Sequence, residues 1–229
     1  DLNYDLKNIS NNPESFIIDK NNVNPEIKIA IISDIHYMDK SLLVKDGTAF
    51  QEYIAKDPKL LEYSSAILDA AIQDIVNKKP DLVLIPGDLT KDGERINHEK
   101  VAQQLRYLNR QGIKVLVTVG NHDVNNPETA RYISDITVQT PTVRADRIPF
   151  IYATCGFNDA LSRDPNSLSY VNEPIPGLWI ITIDANRYAG NTDKCITGGV
   201  IKPETLTWVL EQLAAAQAGG KTVIGMMHH

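Results

Sequence analysis

Two rhythms of apolar residues run along this chain. Short, mostly apolar runs occupy 27–32, 82–85 and 114–119, the pattern of strands buried on both faces. Between them the period changes to that of a helix. Leu60, Leu61, Ser64, Ile67, Leu68, Ala71, Ile72, Ile75 and Val76 recur at three- and four-residue steps before Pro80, which predicts an amphipathic helix ended by the proline. A second helix is expected over 97–110, with Val101, Leu105 and Leu108 inward and a stop at Gly112.

Further on, 170–171 and 178–183 read as strands joined by a Pro/Gly turn at 174–177. Pro203 suits the first position of a helix whose Leu206, Val209, Leu210 and Leu213 should face inward, with Gly219 and Gly220 ending it. The chain then closes on a last strand and the residues MMHH. Strand alternating with helix predicts an α/β layered domain with a largely parallel sheet. The segment 127–167 has weak periodicity and many turn formers, and is expected to be an irregular, partly helical insertion. Residues 1–26, rich in Asn, Asp and Pro, read as an exposed lead-in, and 27–229 as one domain.

The polar residues that follow the strands carry the chemistry. Asp34 and His36 follow the first, Gly87 and Asp88 the second, Gly120, Asn121, His122 and Asp123 the third, and His228 and His229 the last. Ligands of open α/β sheets bind beyond the carboxyl ends of the strands, so these clusters should meet in one crevice. Carboxylate, imidazole and amide oxygen together suit divalent metals such as Mn, Fe or Zn. A pair of such ions needs a bridging carboxylate. Asp88 is the candidate, because Gly87 lets the backbone turn sharply before it.

The blocks SDIH (33–36), GDLT (87–90) and GNHD (120–123) resemble the signature blocks of the calcineurin-like metallophosphoesterases, and MMHH (226–229) is similar to that family's next block. The resemblance runs from about Ile27 to the end. It implies a four-layer α/β sandwich, two mixed β-sheets packed face to face and flanked by helices. It also implies phosphomonoester or phosphodiester hydrolysis by a metal-bound hydroxide at a dinuclear site. Asp34, His36 and a bridging Asp88 would hold one divalent ion, and Asp88, Asn121 and His228 the other. His122 would serve the leaving oxygen as a general acid or charge stabiliser, oriented by Asp123. The family's final Gly-His-x-His block is not matched before His229, so the catalytic domain is expected to be incomplete at its C-terminus. A non-catalytic phosphoesterase-like scaffold is the alternative, and a mononuclear metal hydrolase a third reading.

Duller roles are expected elsewhere: a solvated helix position for His98, turns or caps for Asp39, Asp92 and Asp184, and for His229 either support behind the ligands or a bystander's place. Tyr37, Tyr53, Tyr63 and Tyr188 are expected at the crevice mouth. The segments 37–58 and 127–167 are expected to border the crevice and to set substrate choice.

Composition narrows the partners. A net charge of -6 leaves no global basic surface for a nucleic-acid backbone, although a cationic metal site would still draw a small phosphoester. No apolar run approaches the ~20 residues of a membrane span. Cys155 and Cys195 are too few for a thiolate zinc site, and two free thiols are the expectation. The chain starts at Asp1 without Met, the sign of a processed or engineered start, and export is compatible with it.

Overall fold

The computed structural model describes residues 26–57 and 59–229. The expected lead-in lies outside the described residues except for Glu26. Strand β1 spans Ile29–Ile31, and after a single 3-10 turn come β2 (Leu43–Lys45) and helix α1 (Thr48–Lys56). Helix α2 (Ser64–Lys78) leads to β3 (Leu82–Pro86), and α3 (Arg95–Arg110) to β4 (Lys114–Thr118). Next are β5 (Ala130–Ile133), β6 (Ile136–Gln139), the short α4 (Ile148–Ile151) and β7 (Ser162–Arg163). The described chain ends with β8 (Tyr170–Ile175), β9 (Leu178–Ile183), α5 (Pro203–Ala218) and β10 (Thr222–Met227).

Helix boundaries follow local chemistry. Helix α2 ends where Lys79 takes a left-handed conformation, with its N–H closing on the Ile75 carbonyl and Pro80 behind it. Helix α5 starts with Pro203, whose missing N–H costs nothing in a first turn, and ends at Gly219.

Three sheets form among the described residues: β1-β3-β4, parallel throughout; β10-β9-β8-β7, of mixed direction; and a small one, β2-β5-β6. Leu82, Leu84 and Leu116 of the first sheet pack against Leu178, Ile180 and Met226 of the second. The opposite side of the first sheet, through Val83, Ile85, Val115 and Val117, meets Leu68 and Ile72 of α2 and Val101, Leu105 and Leu108 of α3. Trp208 and Val209 of α5 cover Val171 and Ile181 on the outer face of the second. The order helix, sheet, sheet, helix agrees with an α/β sandwich, but only the second of its two sheets is mixed; among the described residues the first is parallel, not mixed as expected.

Several stretches depart from expectation. In α5 the inward residues are Thr205, Trp208, Val209 and Ala216, while Leu210 and Leu213 are 54% and 41% exposed. Two helical stripes exist in this sequence, and the one carrying the large indole wins the sheet. Similarly, Leu60 and Ile67 lie outside the buried face before and along α2. The segments 37–58 and 127–167 are also more regular than their sequence suggests. Strand β2 pairs in parallel with β5, and β5 antiparallel with β6. Met38, Leu42, Phe50, Leu61, Ala130 and Tyr132 give this small unit its own core. Strands of three or four residues are too short to show an alternation.

Ile180→Ala, at the fully buried junction of the two large sheets, should lower stability by about 2–5 kcal/mol. Leu210→Ala, on the exposed side of α5, should cost under about 0.5 kcal/mol. Chemical denaturation of the two variants checks the contrast.

Candidate metal centre

Past the ends of β1 and β3 the two chains stay in register. Asp34 N donates to the Gly87 carbonyl at 3.3 Å, His36 N to Asp88 O at 2.9 Å, and Tyr37 N to Leu89 O at 3.1 Å. This continued ladder brings the SDIH block alongside the GDLT block. Asp34, His36 and Asp88 all have positive φ, at 55°, 42° and 48°. Left-handed backbone is unfavourable for residues with a Cβ and is found where the fold needs a side chain aimed. Three such residues share this one crevice.

Two glycines make the close approach possible. A Cβ on Gly87 would stand 2.6 Å from the His228 ring, and one on Gly120 would stand 2.1 Å from Asp88 Oδ1. Either would push a donor group out of place.

At the centre, Asp88 Oδ2 lies 3.4 Å from both His36 Nε2 and His228 Nε2. Its Oδ1 accepts from His122 N at 3.0 Å. Donor atoms of Asp34, Asp88 and His228 lie within 4.8 Å of one another, and so do those of His36, Asp88 and His122. Asp88 belongs to both groups. Asn121 Oδ1 is 3.3 Å from His228 Nε2 and 2.8 Å from His229 Nε2, so His229 touches the centre as well. His228 Nδ1 meets the Pro86 carbonyl at 2.8 Å, which fixes its ring and turns Nε2 inward. The buried Nδ1 of His36 has no hydrogen-bond partner. A carboxylate shared by two groups of oxygen and nitrogen donors fits a pair of divalent cations.

The donor groups divide differently from the resemblance, which grouped Asp34 with His36. Here Asp34 falls with His228, and His36 with His122. Asp34, His36, His122 and His228 nevertheless gather around the Asp88 carboxylate, and Asn121 is reached through His228.

The orientation of His122 is a correction. Asp123, expected to hold it, is fully buried and points elsewhere. Asp123 accepts from Leu89 N at 3.1 Å, Thr90 N at 2.9 Å, Thr90 Oγ1 at 2.8 Å and Gly120 N at 2.8 Å. It therefore clamps the GDLT turn to the GNHD turn. The partner of His122 is Asp92, whose Oδ1 is 2.9 Å from His122 Nδ1. Asp92 was read as a turn residue, because its distance from His122 along the chain hides the contact.

His98 is likewise no solvated residue. It is fully buried, with Nδ1 2.9 Å from the Tyr152 hydroxyl and Nε2 2.8 Å from the Asp123 carbonyl. Asp39 does cap a 3-10 turn through Ser41 N, and Asp184 accepts from Leu168 N and Tyr188 Oη. Cys155 and Cys195 are free thiols. Of the four tyrosines, Tyr53 lines a cavity of about 630 Å³ with Asp92, His122 and Tyr132, whereas Tyr37 is buried. Lys59, not foreseen, lines another hollow beside Asp34 and His36.

A family model described as calcineurin-like phosphoesterase matches residues 27–229. The chain belongs to this family. Its fold is similar to that of a dimetal phosphatase from Danio rerio, with a TM-score of 0.55 at 13% identity, over 90% of this chain and 70% of that one. No curated protein sequence matches it. Among the described residues, no helix of this phosphoesterase-family chain is long and apolar enough to cross a membrane.

Charge balance in the centre follows the contacts. Burial penalises the Asp88 carboxylate, but hydrogen bonding to His228 and the nearby imidazoles outweigh it and lower its pKa. Burial alone would lower His228, yet the hydrogen bond and charge of Asp88 and the Pro86 carbonyl raise it to about 9. His36 is lowered, first by burial and then by Lys59. Burial opposes the charged form of His122 too, but Asp92 and Asp88 raise it.

A histidine raised on folding stabilises the fold fully below its unfolded pKa, and that contribution is lost as pH rises through the folded value. In metal-stripped protein the melting temperature should therefore fall between pH ~6.5 and the folded value of about 9. His228→Gln should flatten that slope, as thermal melts across the range will read. Divalent-metal affinity should rise over the same interval, since protons and metal compete for the ring.

Proposed function

We propose that this protein hydrolyses a phosphomonoester or phosphodiester at a centre where Asp34, His36, Asp88, Asn121 and His228 hold two divalent cations, Mn, Fe or Zn. The observation that carries this reading is the convergence of donor atoms of Asp34, His36 and His228 on the single Asp88 carboxylate. A pair of bound cations supplies positive charge for the phosphoryl oxygens and lowers the pKa of water.

The rest falls to the protein's own groups. Asp88, with one oxygen toward His36 and His228 and the other held by His122 N, is placed as the bridge. Asn121 contributes a neutral oxygen, so the charge of the cations stays only partly cancelled. Asp92 takes the Nδ1 side of His122, which leaves Nε2 to face the centre. The Asp92 and Asp88 carboxylates favour the protonated form of His122. His122 is thereby suited to give that proton to the leaving oxygen, and Asp92 takes the orienting role once expected of Asp123. The cavity lined by Tyr53, Asp92 and His122 lies on this side and is read as the space for the leaving group. Part of its wall comes from α1, β5 and β6, so the small third unit is placed to influence substrate choice.

The test is hydrolysis of an aryl phosphate monoester and an aryl diester by protein expressed from the full gene, with added Mn. Turnover that requires metal is expected for at least one. Asp88→Asn together with Asn121→Ala should reduce it by at least about a thousandfold, equivalent to roughly 4 kcal/mol of barrier. Metal-independent turnover would overturn the dinuclear reading, and no turnover with either ester would leave the scaffold reading in its place. His122→Asn separates roles within the site. It should retain both metals by elemental analysis while kcat falls about 10²–10⁴-fold, the usual weight of a general acid; loss of a metal would make His122 a ligand.

A further inference from the structure

Lys91 is fully buried. A buried ammonium is costly unless it is paired, and replacing a whole buried ion pair by apolar side chains of similar volume is often neutral for stability. Its surroundings show what the cation does. Lys91 Nζ makes a close ion pair with Asp92 Oδ2 and another with Glu94 Oε1 at 3.2 Å. The Tyr53 ring covers it at 4.4 Å and the Tyr132 ring lies 5.5 Å away. Tyr53 also donates its hydroxyl to Asp92 Oδ2 at 3.0 Å.

One oxygen of Asp92 is thus occupied by Lys91 and Tyr53. The other, Oδ1, is left for His122 Nδ1 at 2.9 Å, with Asn126 Nδ2 at 3.5 Å. A carboxylate held by only one oxygen can pivot and drag its imidazole partner with it. Held at both, it fixes the plane of the His122 ring. Tyr53 comes from α1 and Tyr132 from β5, so the small third unit builds the cage.

We propose that Lys91 and Tyr53 are positioning residues for His122, locking the Asp92 carboxylate so that His122 Nε2 stays aimed at the leaving oxygen. This rests on the reading of His122 as the proton donor. Neither residue touches substrate in this role. Their effect should therefore depend on how much the leaving group needs a proton, which a merely structural residue would not show.

The experiment uses the Mn-loaded protein with a nitrophenyl phosphate, whose leaving group departs readily, and an alkyl phosphate, whose leaving group does not. Tyr53→Phe keeps the ring over Lys91 and removes one hydrogen bond to Asp92. It should lower kcat on the alkyl ester about tenfold and on the nitrophenyl ester about threefold or less. Added to His122→Asn it should cost nothing more, since residues acting through one group are not additive. Equal losses on both esters, or losses that multiply with His122→Asn, would overturn the proposal. If His122→Asn itself slows both esters equally, the proton-donor reading falls first and this inference with it. Lys91→Met leaves two buried carboxylates without their cation, so Lys91→Met/Glu94→Gln is made beside it. A second measurement needs no turnover: nitrogen-resolved NMR of the His122 imidazole in metal-free protein. The Nδ1 proton should exchange with water faster in Tyr53→Phe and in the double variant, and unchanged exchange overturns the proposal.

Discussion

The physical constraint behind this molecule is the crowding of polar donors around one carboxylate. Asp88 has His36, His228 and the His122 backbone within reach at 3.0–3.4 Å. Such a gathering is unfavourable for a chain left to itself, because each donor gives up water and the backbone must adopt left-handed turns at Asp34, His36 and Asp88. It persists because the surrounding structure leaves no alternative. The turns sit at the ends of buried strands, Gly87 and Gly120 let them touch, and Asp123 ties two of them together with four hydrogen bonds.

Rigidity at the centre is therefore supplied from outside it. The sandwich core fixes the positions of the strand ends: Val83, Ile85, Val115 and Val117 are packed against α2 and α3, and the opposite face against the second sheet. His98, wedged between Tyr152 and the Asp123 carbonyl, connects α3 to the Asp123 clamp. The small third unit adds a different kind of support, electrostatic as much as steric. Through Tyr53 and Tyr132 it encloses Lys91, which balances the buried carboxylates of Asp92 and Glu94. Burial opposes the charge of Asp92, but its hydrogen bond to His122 and then the Lys91 ammonium outweigh it and lower its pKa.

Much of this was legible in the residues alone. Apolar runs and helical periods located the main strands and helices, since burial on both faces of a strand or one face of a helix leaves a local trace. The polar blocks after those strands were equally readable, because a turn after a strand is built from neighbouring residues. What the sequence concealed lies at longer range or on shorter elements. Nothing near Asp92 indicates that it faces His122 rather than solvent. Nothing near Asp123 indicates that it is consumed by the backbone of Leu89, Thr90 and Gly120. Strands β2, β5 and β6 are too brief to carry a period, and α5 has two candidate apolar stripes of which the sheet accepts one.

Sequence by itself therefore determined the alternation of strand and helix, the family blocks and the identity of the residues that gather around Asp88. Tertiary structure decided the partners: which donors share a group, which acid meets His122, and which carboxylates pair with a fully buried lysine. The division has one cause. Local propensity and turn chemistry act over a few neighbouring residues, whereas the pairing of charges and hydrogen bonds is settled only when segments 30 or more positions apart, such as Asp92 and His122, are packed into the same dry space.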